Sequence, residues 1–388
     1  MTKTILLGEV AEIIKGISYR SADYSNSENG IAFVNLKSVA RGGGYNADGI
    51  KYYAGQIKPS QYVEPGDILI ANTDLTQNRE IIGSPIIMPN IGRSACFSLD
   101  LSKIIVTDTE VVDPRYLFYY LKSPLAREYM LAHSNGSTVV HLSVKAVPNM
   151  ELNLPSLDQQ KKIANILGSL DEKIELNRRM NETLEQLGQA LFRHYFVDNP
   201  EARSWDKKPL DEIANFLNGL AMQKYPKING QPTLPVIKIR EMSSGITDST
   251  DIASANIPEE YIIHDGDLLF SWSGTLMVRF WSGGDGALNQ HLFKVTSDKY
   301  PEWLYYYWTK YHLDQFISIA KSKATTMGHI QRKHLKQAEV IMPPNIKEMT
   351  LELAPIIDQI KTNLFEINSL VNIRDALLPK LISGEIEI

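Results

Sequence analysis

LPSLDQQKKIANILGSLDEKIELNRRMNETL, Leu154 to Leu184, is the stretch on which the architecture turns. A proline and a candidate capping serine, Pro155 and Ser156, open it. Seam positions then recur in alternating steps of four and three: Ile163, Leu167, Leu170, Ile174, Asn177, Asn181, Leu184, Gly188, Leu191 and Tyr195. Such a heptad stripe would stay exposed to water unless a partner helix covered it. A second seam runs through Leu353, Ile357, Ile360, Leu364, Ile367, Val371, Arg374, Leu378 and Leu381. The spacing predicts one long helix over 156–200 and another over 345–388, antiparallel and each the other's partner. Asn177 and Asn181 would cost stability in that seam but fix its register. The alternative is that each helix packs on its own globular domain.

The segments between the helices repeat each other, and a repeat fixes the architecture. LGEVAEIIKG (Leu7–Gly16) resembles LDEIANFLNG (Leu210–Gly219), and IAFVNLKSV at Ile31 resembles LPVIKIREM at Leu234. EPGDILI at Glu64 returns as HDGDLLF at His264, and DPRYLFYYLK at Asp113 as YPEWLYYYWT at Tyr300. GSTVVHLSVKAVP at Gly136 returns as ATTMGHIQRKHLK at Ala324, and NLPSLDQQKKIANI as IMPPNIKEMTLELA. The shared order makes this a duplicated unit of roughly 190 residues. Each copy predicts a short helix (VAEII in the first) and then short apolar strands. A proline-opened helix follows, with Pro114 or Pro301 in its first position, and then a polar loop and a last strand before the long helix. The fold class is α+β: mixed α/β domains over 1–155 and 201–344, related by a pseudo-two-fold. Two antiparallel helices of about 40 residues, each about 60 Å long, would separate them as a ruler.

The bulk composition excludes more than it identifies. Hydrophobic content of 43% with 22% charged residues fits packed domains. No run approaches a membrane span, and MTKTILLGEVAEI lacks a signal-peptide layout, so a bacterial or archaeal cytoplasm is expected. The single cysteine, Cys96, reads as a small core residue. A net charge of −5 does not advertise nucleic-acid binding, so any DNA site must be a local patch. Neither an Asp/Asn-Pro-Pro-Tyr/Phe tetrapeptide nor a G-x-x-x-x-G-K-S/T phosphate loop is present, and the histidines show no metal-ligand spacing. No catalytic residue and no metal site is expected.

Two variable modules, each followed by a long helix, resemble the specificity subunits of type I restriction-modification systems. The most specific parts are LPSLDQQKKIANILGSLDEKI and the ending DALLPKLISGEIEI. The second helix start, MPPNIKEMTLELAPIIDQI, keeps the prolines and periodicity but not the Asp-Gln-Gln stretch. The resemblance implies that the modules are target recognition domains, each reading half of a split double-stranded DNA sequence. It implies that the helices set the gap and carry two modification (methyltransferase) subunits, with restriction (translocase and nuclease) subunits as further partners. S-adenosylmethionine, ATP and Mg would belong to those partners, and this chain would be non-catalytic. Other readings are a protein scaffold with two binding modules, a fused restriction or methyltransferase enzyme, and the specificity subunit of a related restriction-modification type.

Candidate DNA contacts come from the repeat. The most basic window, KSKATTMGHIQRKHLK, offers Lys321, Lys323, Thr325, Thr326, His329, Arg332 and Lys333. Its counterpart offers Ser137, Thr138, His141, Ser143 and Lys145. Cationic groups neutralise phosphates, whereas hydroxyl and ring groups reach phosphates or base edges. The competing reading is a solvated loop before the last strand. A second set lies just past strands: Asn35, Lys37, Arg41, Asn72, Thr73 and Arg79, with Lys238, Arg240, Ser271 and Trp272 in the other copy. The aromatic runs YLFYY and WLYYYW sit at matching helical positions and are read as packed core rather than base-stacking platforms.

Overall fold

A computed structural model of the protein describes residues 3–76, 78–322 and 328–388. The chain forms two compact units, Met1–Asp171 with Asn372–Ile388, and Glu172–Val371. Each unit therefore takes in a globular module together with part of each long helix.

In the first unit, strand Lys3–Leu6 pairs antiparallel with Glu151–Leu154, tying the module's start to its end. One four-stranded sheet orders Ala11–Lys15, Leu101–Val106, Ile68–Ala71 and Pro85–Ile87. Ile68–Ala71 is buried at every position, which is why ILIA reads as a continuous apolar run. A second sheet orders Lys51–Tyr53, Ile31–Val34, Ala95–Phe97 and Tyr62–Val63, its central pair parallel. A small third sheet joins Ser134–Asn135, Val140–Leu142 and Thr73–Asp74. Helix Pro114–Lys122 starts where Asp113 accepts a hydrogen bond from the Tyr116 amide at 3.0 Å. It buries Tyr116, Phe118, Tyr119 and Tyr120, so YLFYY is core.

The second unit repeats the plan. Lys207–Pro209 pairs with Glu339–Ile341, and the main sheet orders Asn215–Asn218, Leu292–Thr296, Leu268–Ser271 and Met277–Phe280. The other sheet orders Ile252–Ser254, Thr233–Ile237, Gly286–Leu288 and Ile262–Ile263. The duplication reaches single hydrogen bonds. Lys103 Nζ donates to the Tyr62 carbonyl at 2.8 Å and to Asp67 Oδ2 at 3.2 Å. Lys294 Nζ donates to the Ile262 carbonyl at 2.9 Å and to Asp267 Oδ2 at 2.8 Å. Each lysine is withdrawn from solvent yet keeps both a carboxylate and a carbonyl, so its burial leaves no uncompensated charge. The turn before each aspartate needs a glycine with positive φ, Gly66 at 96° and Gly266 at 93°.

Three details differ from the sequence reading. The opening helices are only Leu7–Val10 and Leu210–Ile213, because Ala11–Lys15 and Asn215–Asn218 join sheets instead. Pro301 caps helix Glu302–Tyr311 rather than occupying its first turn. The basic window is not one loop: Lys321 lies at the end of helix Leu313–Ser322, and Arg332–Gln337 is a short helix.

The long helices run over Leu157–Phe192 and Ile346–Ser383. Every seam position named above is buried or half-buried. In the second unit the pairing is antiparallel. Asn177 Nδ2 donates to Glu366 Oε2 at 2.8 Å, Asn363 Nδ2 to Asn181 Oδ1 at 2.8 Å, and Tyr195 Oη to Glu352 Oε2 at 2.7 Å. Leu184 and Leu191 pack with Ile357, Ile360 and Leu364 against that unit's core. In the first unit Ile163 and Leu167 share a core with Leu378 and Leu381, and Arg374 Nη1 meets Asp171 Oδ1 at 2.7 Å. The two helix starts dock differently. Gln160 accepts from the Asp113 amide at 3.0 Å and donates to the Val111 and Pro155 carbonyls, both at 3.0 Å. The second start lacks the glutamine, and Trp303 Nε1 donates instead to Thr350 Oγ1 at 2.9 Å. Among the described residues no helix is long and apolar enough to cross a membrane.

Candidate nucleic-acid interface

In the first unit two exposed loops emerge from one small sheet. Thr73 pairs with His141 and Asp74 with Val140, so the chain leaving Asp74 and the chain entering Val140 lie side by side. Asp74 organises the first loop. Its carboxylate, fully buried, accepts the backbone amides of Thr76 at 2.6 Å and Ile82 at 2.7 Å, together with that of Ile81. Burial alone would raise its pKa, but a hydrogen bond from the Thr76 side chain together with these amides outweighs burial and holds it below the ordinary aspartate value. Arg127 clamps the same loop from beneath through the Arg79 and Ile82 carbonyls. Arg79, at a φ of 55°, donates to the Gly136 carbonyl at 3.3 Å and so ties the loops together. Ser137, Thr138, His141, Ser143 and Lys145 are all exposed, as expected of contacts. Sequence reading missed Leu75, 64% exposed, and Val139 beside the hydroxyls; an apolar residue among polar ones gave no signal of its own.

The second unit builds the equivalent place differently. Ser273 bridges His329, as Thr73 pairs with His141. Around this bridge opens a cleft of about 550 Å³ lined by Asn218, Trp272, His291, Phe293, His329 and Arg332 with Ser273, Ile330 and Gln331. The Trp272 ring centroid lies 5.8 Å from His291, 5.9 Å from Phe293 and 6.3 Å from His329. Trp272 Nε1 donates to Asn218 Oδ1 at 2.8 Å, and Ser273 Oγ shares a 3.0 Å hydrogen bond with His291 Nδ1. Arg332 Nη2 reaches the Phe216 carbonyl at 3.3 Å, with the guanidinium 5.9 Å from the Phe293 ring. Sequence reading found Trp272, His329 and Arg332 but not Asn218, His291 or Phe293, which come from distant strands. Lys321 and Lys333 are exposed, whereas Lys323, Thr325 and Thr326 lie outside the described residues.

Several strand-end candidates serve the fold. Asn35 is buried; its amide donates to the Phe33 and Gly49 carbonyls at 3.1 and 2.8 Å, and its oxygen caps Lys37 N at 3.0 Å. Asn72 is buried, donating to Ser102 Oγ at 2.9 Å, and Thr73 is buried beside it. Ser271 is buried and donates to the Thr275 carbonyl at 2.7 Å. Lys238 is paired with Asp251, and Arg240 with the buried Glu241 at 2.7 Å. Arg41 pairs with Glu80 at 3.0 Å but stays exposed, as does Lys37. Asn35 reaches Gly49, Asn72 reaches Ser102 and Lys238 reaches Asp251, partners that residue type alone could not reveal, whereas Arg240 and Ser271 bond Glu241 and Thr275 close by in the chain. Cys96 is buried and its thiol pushed up to about 12 by burial, which fits a core residue. Among the described residues no group of His, Cys, Asp or Glu is placed to hold a metal ion.

Comparison with known proteins extends the pattern. A sequence profile of the type I restriction modification DNA specificity domain matches residues 2–186 and again 202–373. The HindI specificity subunit of Haemophilus influenzae is 24% identical over 469 aligned positions, covering 97% of this chain and 98% of that protein. The MjaIX specificity subunit of Methanocaldococcus jannaschii is 26% identical over 302 positions, 70% of this chain and 69% of that one. The fold resembles the crystal structure of a type I restriction-modification S subunit from M. genitalium, with a TM-score of 0.59 at 15% identity, over 98% of this chain and 96% of that one. With the profile matching both halves of a duplicated chain, this protein belongs to the type I restriction-modification DNA specificity family.

Proposed function

We propose that the chain is the non-catalytic DNA-specificity subunit of a type I restriction-modification enzyme. It reads an asymmetric, split double-stranded target, one part with each module, and recruits methyltransferase and restriction subunits. The observation that carries this is the repeated pair of strand ends, Thr73 with His141 and Ser273 with His329. One scaffold presents Ser137, Thr138 and Lys145 in one unit and Trp272, Arg332 and Lys333 in the other, so the two surfaces suit different bases. Neither unit is strongly basic, which supports weak binding by the chain alone, since phosphate neutralisation supplies most non-specific affinity. Two modification subunits would supply the remaining contacts along with S-adenosylmethionine chemistry, and ATP and Mg would act on the restriction subunits.

The test is single-molecule methylation mapping of DNA from cells carrying this gene and its partner methyltransferase, followed by mobility shifts on the mapped site. A split motif and tight binding by the assembled complex are expected. A complex that binds random duplex as tightly as the mapped site would favour the protein-scaffold reading instead.

A further inference from the structure

We infer that the aromatic cleft of the second unit takes a nucleobase lifted out of the bound DNA duplex. The inference rests on the chain's reading as a DNA-specificity subunit and names a specificity-determining site within it. The rings around the cleft are not required by the fold. In the first unit, Lys15 pairs with Ser102 where Asn218 pairs with Phe293. Asn72 and Asp100 stand where the second unit has Trp272 and His291. Asn72 fills its own place by donating to Ser102 Oγ at 2.9 Å. The same sheets thus form without the Trp272, His291 and Phe293 rings, whereas in the second unit Trp272, His291 and His329 stay half-exposed around open space.

The chemistry of the lining selects the occupant. A volume of about 550 Å³ exceeds what one thymine methyl group needs and falls in the range of about 300–1,000 Å³ for small-molecule sites. Ring faces favour a planar heteroaromatic ligand, and stacking on such faces tolerates any base. Asn218 fixes the plane of the Trp272 indole by accepting from Nε1 at 2.8 Å. Among the described residues no lining side chain is a carboxylate, so a cationic side chain from a protein partner would find no counter-charge on them. Gln331 offers a side-chain amide to a base edge, and Arg332 a guanidinium to the adjoining phosphate. Lifting a base costs its pairing and stacking; stacking on an exposed ring returns part of that cost.

Mismatch scanning distinguishes this from ordinary groove reading. The full chain is assembled with its cognate methyltransferase subunits and bound to the mapped target. At each position of the second half-site, only the opposite base is changed, on either strand. Groove reading makes every such mismatch neutral or weakening, whereas a base that leaves its pair is released more easily when the pair is already broken. The expected result is several-fold tighter binding at one position other than the methylated base, which the partner itself would extrude. Trp272→Ala should abolish that gain and weaken binding about 5- to 150-fold, the equivalent of one lost base–ring stack. Trp272→Phe should retain most of both. The scan itself uses the wild-type chain and does not depend on any variant folding. Specific binding with no tightening mismatch outside the methylated base overturns the inference and leaves DNA recognition standing. Absence of specific binding to the mapped site overturns both.

Discussion

A carboxylate with no solvent exposure orders the exposed tip of the first unit. Asp74 accepts three backbone amides, so its replacement by Asn keeps the size but leaves donors facing an amide group. We expect Asp74→Asn to destabilise the protein by about 1–3 kcal/mol at neutral pH and to weaken reading of the first half-site. The pH dependence has a definite sign. A folded pKa held below the unfolded value of about 3.9 stabilises above that value and loses the contribution as pH falls toward the lowered one. Urea titrations from pH 7 to pH 3 should therefore show the gap between wild type and variant closing below about pH 4; a constant gap would take Asp74 out of this role. At the other surface, Lys333 is exposed, so Lys333→Ala should leave folding within about 0.5 kcal/mol. Binding of the assembled complex should lose about one unit of salt slope, as for one phosphate contact. An unchanged slope would remove Lys333 from the interface. Arg332→Ala should instead cost both binding and some stability, because the side chain also bonds the Phe216 carbonyl.

At the scale of elements, the long helices are held by phase rather than by hydrophobicity alone. Asn181 and Asn363 bond across the second unit's helix pair, and Asn177 meets Glu366, so a shift along the seam breaks several polar contacts together. Two residues inserted between Asn177 and Asn181 rotate everything beyond by about 200°, taking Leu184 and Leu191 off the facing helix. The loss should be at least about 3 kcal/mol, taking about 1.5–3 kcal/mol for each apolar side chain. Four inserted residues turn the helix by about 400°, close to a whole turn, and should cost much less. Denaturant midpoints of the two variants decide this: equal losses would show that the seam is not what the insertions disturb. A similar clamp acts in the first unit, where Asp171 on one helix joins Tyr119 Oη at 2.8 Å and Arg374 at 2.7 Å. Burial lowers the Arg374 pKa, but Asp171 and Asp375 more than offset that, so the guanidinium stays charged.

For the whole molecule, duplication separates scaffold from reading surface. Lys103 with Asp67 and Lys294 with Asp267 are the same device built twice, while the residues at the strand ends differ. Replacing residues 201–344 with the matching segment of another specificity subunit should change one half of the recognised sequence and leave the other intact. Methylation mapping of the hybrid checks this, and a change in both halves would contradict independent reading.

The sequence by itself determined the duplication, the two long helices and the family. Those signals are periodic or ordered along the chain: the heptad from Ile163 to Tyr195, the paired GDILI and GDLLF strands, and the DQQ helix start. Periodicity reports which face is buried without reference to what lies opposite. The exposed residues Ser137, Thr138, His141 and Lys145 were legible for a related reason, since a polar stretch between core strands has few places to go but the surface. Tertiary structure alone decided which polar residues are already committed. Asn35, Asn72 and Lys238 look like free contacts in sequence, yet their partners Gly49, Ser102 and Asp251 are brought to them by chain folding. The cleft at Trp272 follows the same rule. Its walls come from Asn218, Phe293 and Arg332, and an enclosure made by residues so far apart exists only once the sheet has formed.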